Sequence, residues 1–234
     1  MIVLGFDTAT PATAVGLLAD GAADPGGQAN VAGLAAERRH DPAPGERPGH
    51  GPLLLGLAHN LLQDAGLTFA GVDRVAVGLG PGGFTGLRIG VATARALAQA
   101  AGAEIVGVST LEALASAAQP EAGQGVLAVV DARRGEVFAA GWRDGEQVLA
   151  ARAIDPSRIS TIAGEGWLAV GDGALRFRGD LEGAGCRVPG DGSGLHGVSG
   201  LAVCRLARRA PAGAERDLIV PDYLRKPDAV RSKP

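Results

Sequence analysis

Short apolar runs alternate with turn-forming residues along much of the chain, and two longer apolar segments interrupt them. Short apolar runs bounded by Gly, Pro or Asp are typical of buried strands, whereas longer apolar segments without proline favour helices. The pattern predicts strands at residues 2–6, 13–18, 31–38, 75–78, 104–108, 126–130 and 136–140. It predicts helices at residues 53–65, 84–101 and 110–118. Because both kinds of element alternate, the chain is expected to have an α/β fold.

The two long predicted helices carry more apolar surface than one buried face requires. On the first, apolar residues cover an arc of about 200°, roughly twice what packing on one sheet needs. The second is apolar or small except for a narrow polar strip, and Gly86, Gly90 and Ala94 recur in it every four residues. Packing against the chain's own sheet is one interpretation, and we favour a helix–helix interface with another subunit. The predicted interface residues are Leu54, Leu57, Leu61, Gly86, Gly90, Ala94 and Leu97.

The opening of the chain recurs in its second half. A strand at residues 2–6 leads to Asp7, a turn and a second strand, and a strand at 126–130 leads to Asp131, a turn and a strand, 124 residues later. Duplicated halves of this kind characterise the actin and sugar-kinase superfamily, in which the two acids face a nucleotide–metal site. Asp also simply favours turns. We expect lobes at residues 1–108 and 109–234, with a C-terminal helix near 197–210 packing back between them.

A glycine-rich loop separates the strand at 75–78 from the second long helix. Such a loop leaves backbone N–H groups free at a helix N-terminus, where phosphate usually binds. It contains no Lys, which a Walker A motif requires, and its formal G-x-G-x-x-G spacing contains Pro81. The loop and the two acids therefore predict a phosphate-loop scaffold that has lost its catalytic parts. Its residues are Asp7, Thr8, Gly80, Gly82, Gly83, Thr85 and Asp131.

Composition narrows the class of protein. Hydrophobic residues make up 46% of the chain but aromatic residues only 3%, so the core must consist of Ala, Val and Leu. The net charge of −3 does not indicate a nucleic-acid or membrane partner. The segment from residue 200 onward contains eight Lys or Arg and only four Asp or Glu. This excess of basic residues predicts a solvated basic tail or, less favoured, an RNA contact. We expect a cytoplasmic protein, because no signal peptide or apolar span is visible.

Five segments resemble the TsaB family, formerly YeaZ. They are FDTAT at 6–10, GPGGFTGLRIG at 80–90, GVSTLEALA at 107–115, DARRGEVF at 131–138 and PDYLR at 221–225. The resemblance implies a duplicated actin-like (ribonuclease H-like) fold, with two mixed-sheet lobes and flanking helices. It also implies a non-catalytic scaffold that activates the transferase TsaD, with TsaE in the complex, or that pairs with a second copy when TsaD is absent. In this family the two long helices form the dimer interface.

TsaD threonylcarbamoylates the tRNA adenosine next to the anticodon, using a metal held by two histidines in an H-x-x-x-H pattern. In this chain Thr110 and Leu114 stand at those positions, and the four histidines form no pair at helical spacing. Leu cannot ligate a metal and Thr does so poorly. The resemblance therefore implies no metal and no cofactor of its own, with a nucleotide at the partner interface left open. Contact with tRNA is expected to be indirect or weak.

Two other functions compete with this interpretation. An independent nucleotide phosphohydrolase or kinase of this superfamily would need a Lys or Arg after its first loop, and residues 8–16 contain neither. A protease would need a nucleophile, and no Ser–His–Asp arrangement is visible in the sequence. His50 could serve as a general base, although we expect it to belong to the loop that enters the first long helix.

Overall fold

The first half of the chain forms a five-stranded mixed sheet. A computed structural model describes residues 1–19, 33–43, 45–211, 213 and 215–225. The strands are β1 (Ile2–Asp7), β2 (Thr13–Ala19), β3 (Leu34–His40), β4 (Arg74–Gly78) and β5 (Glu104–Val108). Their order is β3-β2-β1-β4-β5, with β1, β2 and β3 antiparallel and β1, β4 and β5 parallel. Residues 31 and 32 of the predicted third strand and residues 226–234 of the predicted basic tail lie outside the described residues.

The second half repeats this arrangement in a four-stranded sheet. Its strands are β6 (Gly125–Arg133), β7 (Glu136–Arg143), β8 (Glu146–Ile154) and β9 (Trp167–Val170). In the order β8-β7-β6-β9, the antiparallel pairs lie on one side of β6 and the parallel pair with β9 lies on the other. Strand β6 therefore occupies the place that β1 has in the first sheet. The two halves share one topology, as the recurring strand–Asp–hairpin pattern predicts.

Helices cover both faces of the first sheet and join it to the second. The helices are α1 (His50–Asp64), α2 (Phe84–Ala101), α3 (Thr110–Ala117), α4 (Asp172–Arg176), α5 (Arg178–Gly183) and α6 (Gly200–Arg209). Short 3-10 helices lie at Phe69–Gly71, Pro156–Thr161, Gly194–His196 and Arg216–Leu218. α1 and α2 pack on the outer face of the first sheet, whereas α3 and α6 lie between the two sheets. The predicted boundary between lobes at residue 108 stays a prediction.

Helix α6 packs on the first sheet by a close backbone contact at its first residue and by hydrogen bonds from a buried arginine at its last turn. A Cβ on Gly16 of β2 would lie 2.2 Å from the carbonyl carbon of Gly200, so only glycine permits this approach. At the other end of α6, the buried Arg74 guanidinium donates to the carbonyl oxygens of Ala207 (2.6 Å) and Ala210 (3.2 Å). Carbonyls at a helix C-terminus lack partners within the helix. Arg74 therefore provides those partners while it pairs with Glu104 of β5.

The small-residue stripe of α2 lies inside the chain's own core, so this part of the predicted partner interface is wrong. A Cβ on Gly86 would lie 1.9 Å from the backbone oxygen of Thr8, and one on Gly90 would lie 2.4 Å from the Thr8 hydroxyl oxygen. The glycines let α2 approach the end of β1. Five predicted interface residues of α1 and α2 are buried within the chain, while Leu57 and Leu97 are half-buried. The five are Leu54, Leu61, Gly86, Gly90 and Ala94.

Within the described ranges, no helix combines the length and the apolar character that a membrane span requires. The longest, α2, carries Arg88 and Arg95 on its surface.

Candidate functional site

An open cleft of about 800 Å³ lies between the two lobes. Its first-lobe wall is the β1–β2 turn together with the glycine loop and the first turn of α2, and its second-lobe wall is the β6–β7 turn. C-terminal residues 222–225 close one side. Five residues of the predicted phosphate-loop scaffold line this cleft together: Thr8, Gly82, Gly83, Thr85 and Asp131. The other two residues of the scaffold, Asp7 and Gly80, do not line the cleft.

The carboxylate of Asp7 is turned into the protein and is fully engaged there. One oxygen accepts a hydrogen bond from the Thr110 hydroxyl (2.6 Å), and the other accepts one from the backbone N–H of Ala9 (2.8 Å). Only 1% of the residue is exposed, and this burial raises the pKa of the Asp7 carboxyl above its usual value. The Thr110 hydroxyl also accepts from the N–H of Gly80 (3.2 Å). Asp7 thus ties the end of β1 to the start of α3.

The glycine loop is bonded to the β1–β2 turn through backbone groups. The N–H of Gly83 donates to the carbonyl oxygen of Ala9 (2.7 Å), and the Thr8 hydroxyl donates to the carbonyl oxygen of Gly86 (2.8 Å). A Cβ on Gly82 would lie 2.3 Å from the same Ala9 oxygen, which explains why this position holds glycine. The glycines of the loop therefore serve close packing between two turns of the first lobe.

Asp131 in the second lobe is held by arginines. Its carboxylate pairs with the guanidinium groups of Arg176 (3.0 Å) and Arg133 (3.3 Å) and also accepts from the backbone N–H of Arg133 (2.8 Å). Its own N–H donates to the carboxylate of Asp172 at the start of α4 (3.1 Å). Burial, with the nearby charge of Asp131 as a smaller cause, raises the pKa of Asp172. The charge of Asp131 is therefore compensated within the second lobe.

His50 is the first residue of α1 and contributes to the cleft wall. Its Nδ1 lies 2.8 Å from the Thr13 hydroxyl oxygen, and burial lowers the pKa of the imidazole, which favours the neutral form. Two other residues of the cleft wall, Asp172 and Tyr223, carry no role in the sequence-based prediction. The signal for Asp172 was present, because Gly171-Asp172-Gly173 follows a short apolar run as the first glycine loop does.

Comparison with known proteins places the chain in a family. Residues 47–165 match the sequence model of TsaD, tRNA N6-adenosine threonylcarbamoyltransferase. The tRNA threonylcarbamoyladenosine biosynthesis protein TsaB of Escherichia coli is 32% identical over 183 residues, which cover 74% of this chain and 72% of that protein. The chain belongs to the TsaB family. An uncharacterized protein of Mycobacterium tuberculosis is 36% identical over 173 residues, 69% of this chain and 71% of that protein.

A solved TsaB-family structure shows the same fold. YeaZ from Pseudomonas aeruginosa is 28% identical and superposes with a TM-score of 0.72 over 95% of this chain and 99% of that one. A second Pseudomonas aeruginosa structure, of a protein with similarity to peptidase YeaZ, gives a TM-score of 0.73 at 29% identity, over 96% and 99% of the two chains. These findings confirm the predicted family and the predicted duplicated actin-like fold.

The chain uses for packing the two positions, Thr110 and Leu114, at which the resemblance stated above would place a histidine pair. Thr110 is fully buried and bonds Asp7, and Leu114 is 1% exposed within the core between the sheets. Within the described ranges, no three His, Cys, Asp or Glu side chains come together in a way that could hold a metal ion. The α3 segment therefore connects the two sheets of the chain through apolar contacts.

Proposed function

We propose that the chain is a non-catalytic subunit of tRNA threonylcarbamoyladenosine biosynthesis, which pairs with TsaD and activates it. The observation that carries the proposal is the engagement of Asp7. Both of its carboxylate oxygens accept buried hydrogen bonds, so neither faces the cleft. A kinase or phosphohydrolase of this fold would need its cleft carboxylates free to hold a metal ion, which in turn binds the phosphate. The second acid, Asp131, is compensated by Arg133 and Arg176.

The thiols and hydroxyls of the chain argue against the protease alternative. Burial raises the pKa of Cys186 to about 11 and that of Cys204 to about 12, so neither supplies a thiolate at neutral pH. The Ser109 hydroxyl accepts from the N–H of Glu112 (3.3 Å) and caps α3. Neither thiol is therefore activated as a nucleophile, and the Ser109 hydroxyl has a structural role.

The proposed docking surface for TsaD consists of exposed residues on α1 and α2, which we call the crest: Leu55, Gly56, Ala92 and Ala96. Leu55 is 48% exposed, so the crest combines one large apolar side chain with three small residues. Small residues allow the backbone of a partner helix to approach closely. The TsaD sequence model itself matches residues 47–165, which include both helices. We therefore propose that like helices pair, with TsaD in the complex that also contains TsaE, or with a second copy when TsaD is absent.

A binding measurement with purified TsaD tests this surface. Ala96→Arg places a long charged side chain on the crest, and overpacking a close contact costs about 1–3 kcal/mol, which weakens binding roughly five- to a hundredfold. Ala150→Arg makes the same change at an exposed alanine on β8 of the second lobe and serves as the matched control. Both variants should keep the thermal midpoint of the parent. If Ala96→Arg binds TsaD as the parent does, the crest is not the docking surface.

The non-catalytic role is tested by tRNA modification in the reconstituted complex. Asp131→Asn removes the cleft carboxylate charge and should leave the rate of threonylcarbamoylation within a few-fold of the parent. Nucleotide is proposed to bind TsaD or its interface with this chain, and contact of this chain with tRNA is proposed to be indirect. A large loss of rate in Asp131→Asn, with binding to TsaD unchanged, would show that the cleft has a chemical role.

A further inference from the structure

Residues 216–225, which we call the strap, follow α6 and run along the side of α2. The Arg95 guanidinium on α2 donates to the backbone oxygens of Asp217 (2.7 Å) and Ile219 (3.1 Å). The Ile219 side chain is buried in the core beneath α2. Arg95 belongs to the narrow polar strip of α2, so part of that strip holds this segment in place.

The strap next crosses the start of the glycine loop and reaches the first turn of α2. The N–H of Asp222 donates to the carbonyl oxygen of Leu79 (2.8 Å), next to Gly80. The Tyr223 ring packs against the Phe84 ring at 5.3 Å between centroids, and the Tyr223 hydroxyl accepts from the Arg88 guanidinium (3.2 Å). Two arginines of α2, about two helical turns apart, therefore hold the strap. Arg95 binds its backbone and Arg88 binds its tyrosine.

The end of the strap binds the second lobe. Arg225 donates to the carbonyl oxygen of Ala132 (3.1 Å) and forms an ion pair with Glu136, so it contacts both strands next to the β6–β7 turn. Its guanidinium also lies 6.0 Å from the centroid of the Phe138 ring. Leu224 packs against the core between the two sheets. Within ten residues, the strap contacts α2 of one lobe and the hairpin of the other.

We propose that the strap sets the width of the cleft and couples the exposed side of α2 to the β6–β7 hairpin. Its anchors at Arg88 and Arg95 lie beside the crest of α2, and its far anchor at Arg225 holds the turn that carries Asp131. A displacement of α2 is transmitted along this short segment, because Arg95 holds its backbone at one end and the Arg225 side chain holds the β6–β7 hairpin at the other. The coupling is a property of the isolated chain and does not depend on the identity of the partner.

Distances between two spin labels, measured by pulsed electron paramagnetic resonance, test the first part of the proposal. Labels on Gln63→Cys in α1 and Gln147→Cys in β8 report the separation of the lobes, since both positions are exposed. The two native cysteines are buried and do not compete for the label. Arg225→Ala should broaden the distance distribution and shift its mean. Arg216→Ala, at the exposed start of the strap, is the matched control and should reproduce the parent.

Hydrogen exchange tests the coupling. Arg95→Ala should accelerate exchange of the amides at residues 132–136, although Arg95 does not touch that hairpin. If Arg225→Ala does not fold, Glu136→Gln removes the same ion pair from the second-lobe side and replaces it in the distance measurement. A distance distribution that is unchanged in Arg225→Ala overturns the proposal, because the strap then does not determine the separation of the lobes. Unchanged exchange at the hairpin in Arg95→Ala overturns the coupling to α2.

Discussion

Adding one methyl group at Gly86 decides whether the small-residue stripe of α2 belongs to the core. In Gly86→Ala the new Cβ would lie 1.9 Å from the Thr8 backbone oxygen. That neighbour is main chain at the end of β1 and cannot rotate away, so α2 itself must move. Overpacking of this kind costs about 1–3 kcal/mol, and the better helix propensity of alanine returns at most about 1 kcal/mol. Because the close contact is with main chain, the cost should lie in the upper part of that range, and we expect a net loss of about 1–2 kcal/mol in the free energy of unfolding.

Gly56→Ala on α1 is the matched control. It is also a helical glycine, but a Cβ there would meet no atom within 4 Å. This variant should therefore gain about 0.5–1 kcal/mol from helix propensity alone. For a chain of this length each kcal/mol moves the thermal midpoint by about 2–4 °C. The two variants should thus move in opposite directions in thermal and urea unfolding, and a Gly86→Ala protein as stable as the parent would refute the packing argument.

Three further predictions concern stability and reactivity. Arg74→Ala should lower the free energy of unfolding by about 1–3 kcal/mol, because α6 loses the donor at its last carbonyls; urea unfolding that matches the parent contradicts this. Cys186 and Cys204 should react with a thiol reagent at neutral pH only after unfolding, since burial raises the pKa of both thiols; rapid labelling of the native chain would be the opposite result. Burial raises the pKa of Asp7, so the stabilisation from its protonated form is complete below about pH 4 and is lost as pH rises through the folded pKa. Unfolding measured from pH 4 to 7 should therefore show the parent losing stability relative to Asp7→Asn, and a difference independent of pH would contradict this.

Elements with a strong local pattern could be predicted from the sequence, and elements formed by tertiary context could not. The apolar runs of β1, β4 and β5 and the long α2 were all located within a residue or two. Between residues 144 and 196 the sequence predicted no element, although β8, β9, α4 and α5 lie there. β8 is an edge strand whose residues are mostly exposed, and its one apolar stretch, residues 148–151, is short and flanked by Gln147 and Arg152. The helices α4 and α5 span only five and six residues, too few to display helical periodicity.

In the candidate site, too, some features could be predicted from local sequence patterns and others depend on tertiary contacts. The duplicated strand–Asp–hairpin pattern suggested one site shared by Asp7 and Asp131; Asp131 lines the cleft with the β1–β2 turn and the glycine loop, whereas Asp7 does not. The orientation of Asp7 could not be predicted, because it depends on Thr110, which lies 103 residues away in the chain. The spacing of Gly86 and Gly90 showed that something approaches α2 closely. It did not show that the approaching element is the chain's own β1.

The position of α6 has a consequence for the order in which the protein can fold. The inner face of the first sheet carries Val3, Leu18 and Ala76, and the helix that covers it comes from residues 200–209. During synthesis this apolar face stays uncovered until residues 200–209 have left the ribosome. Domains generally fold as units as they emerge, N-terminal ones first. Here the first lobe cannot complete its core before the second has been made, so we expect the duplicated halves to fold as one cooperative unit although each has its own sheet.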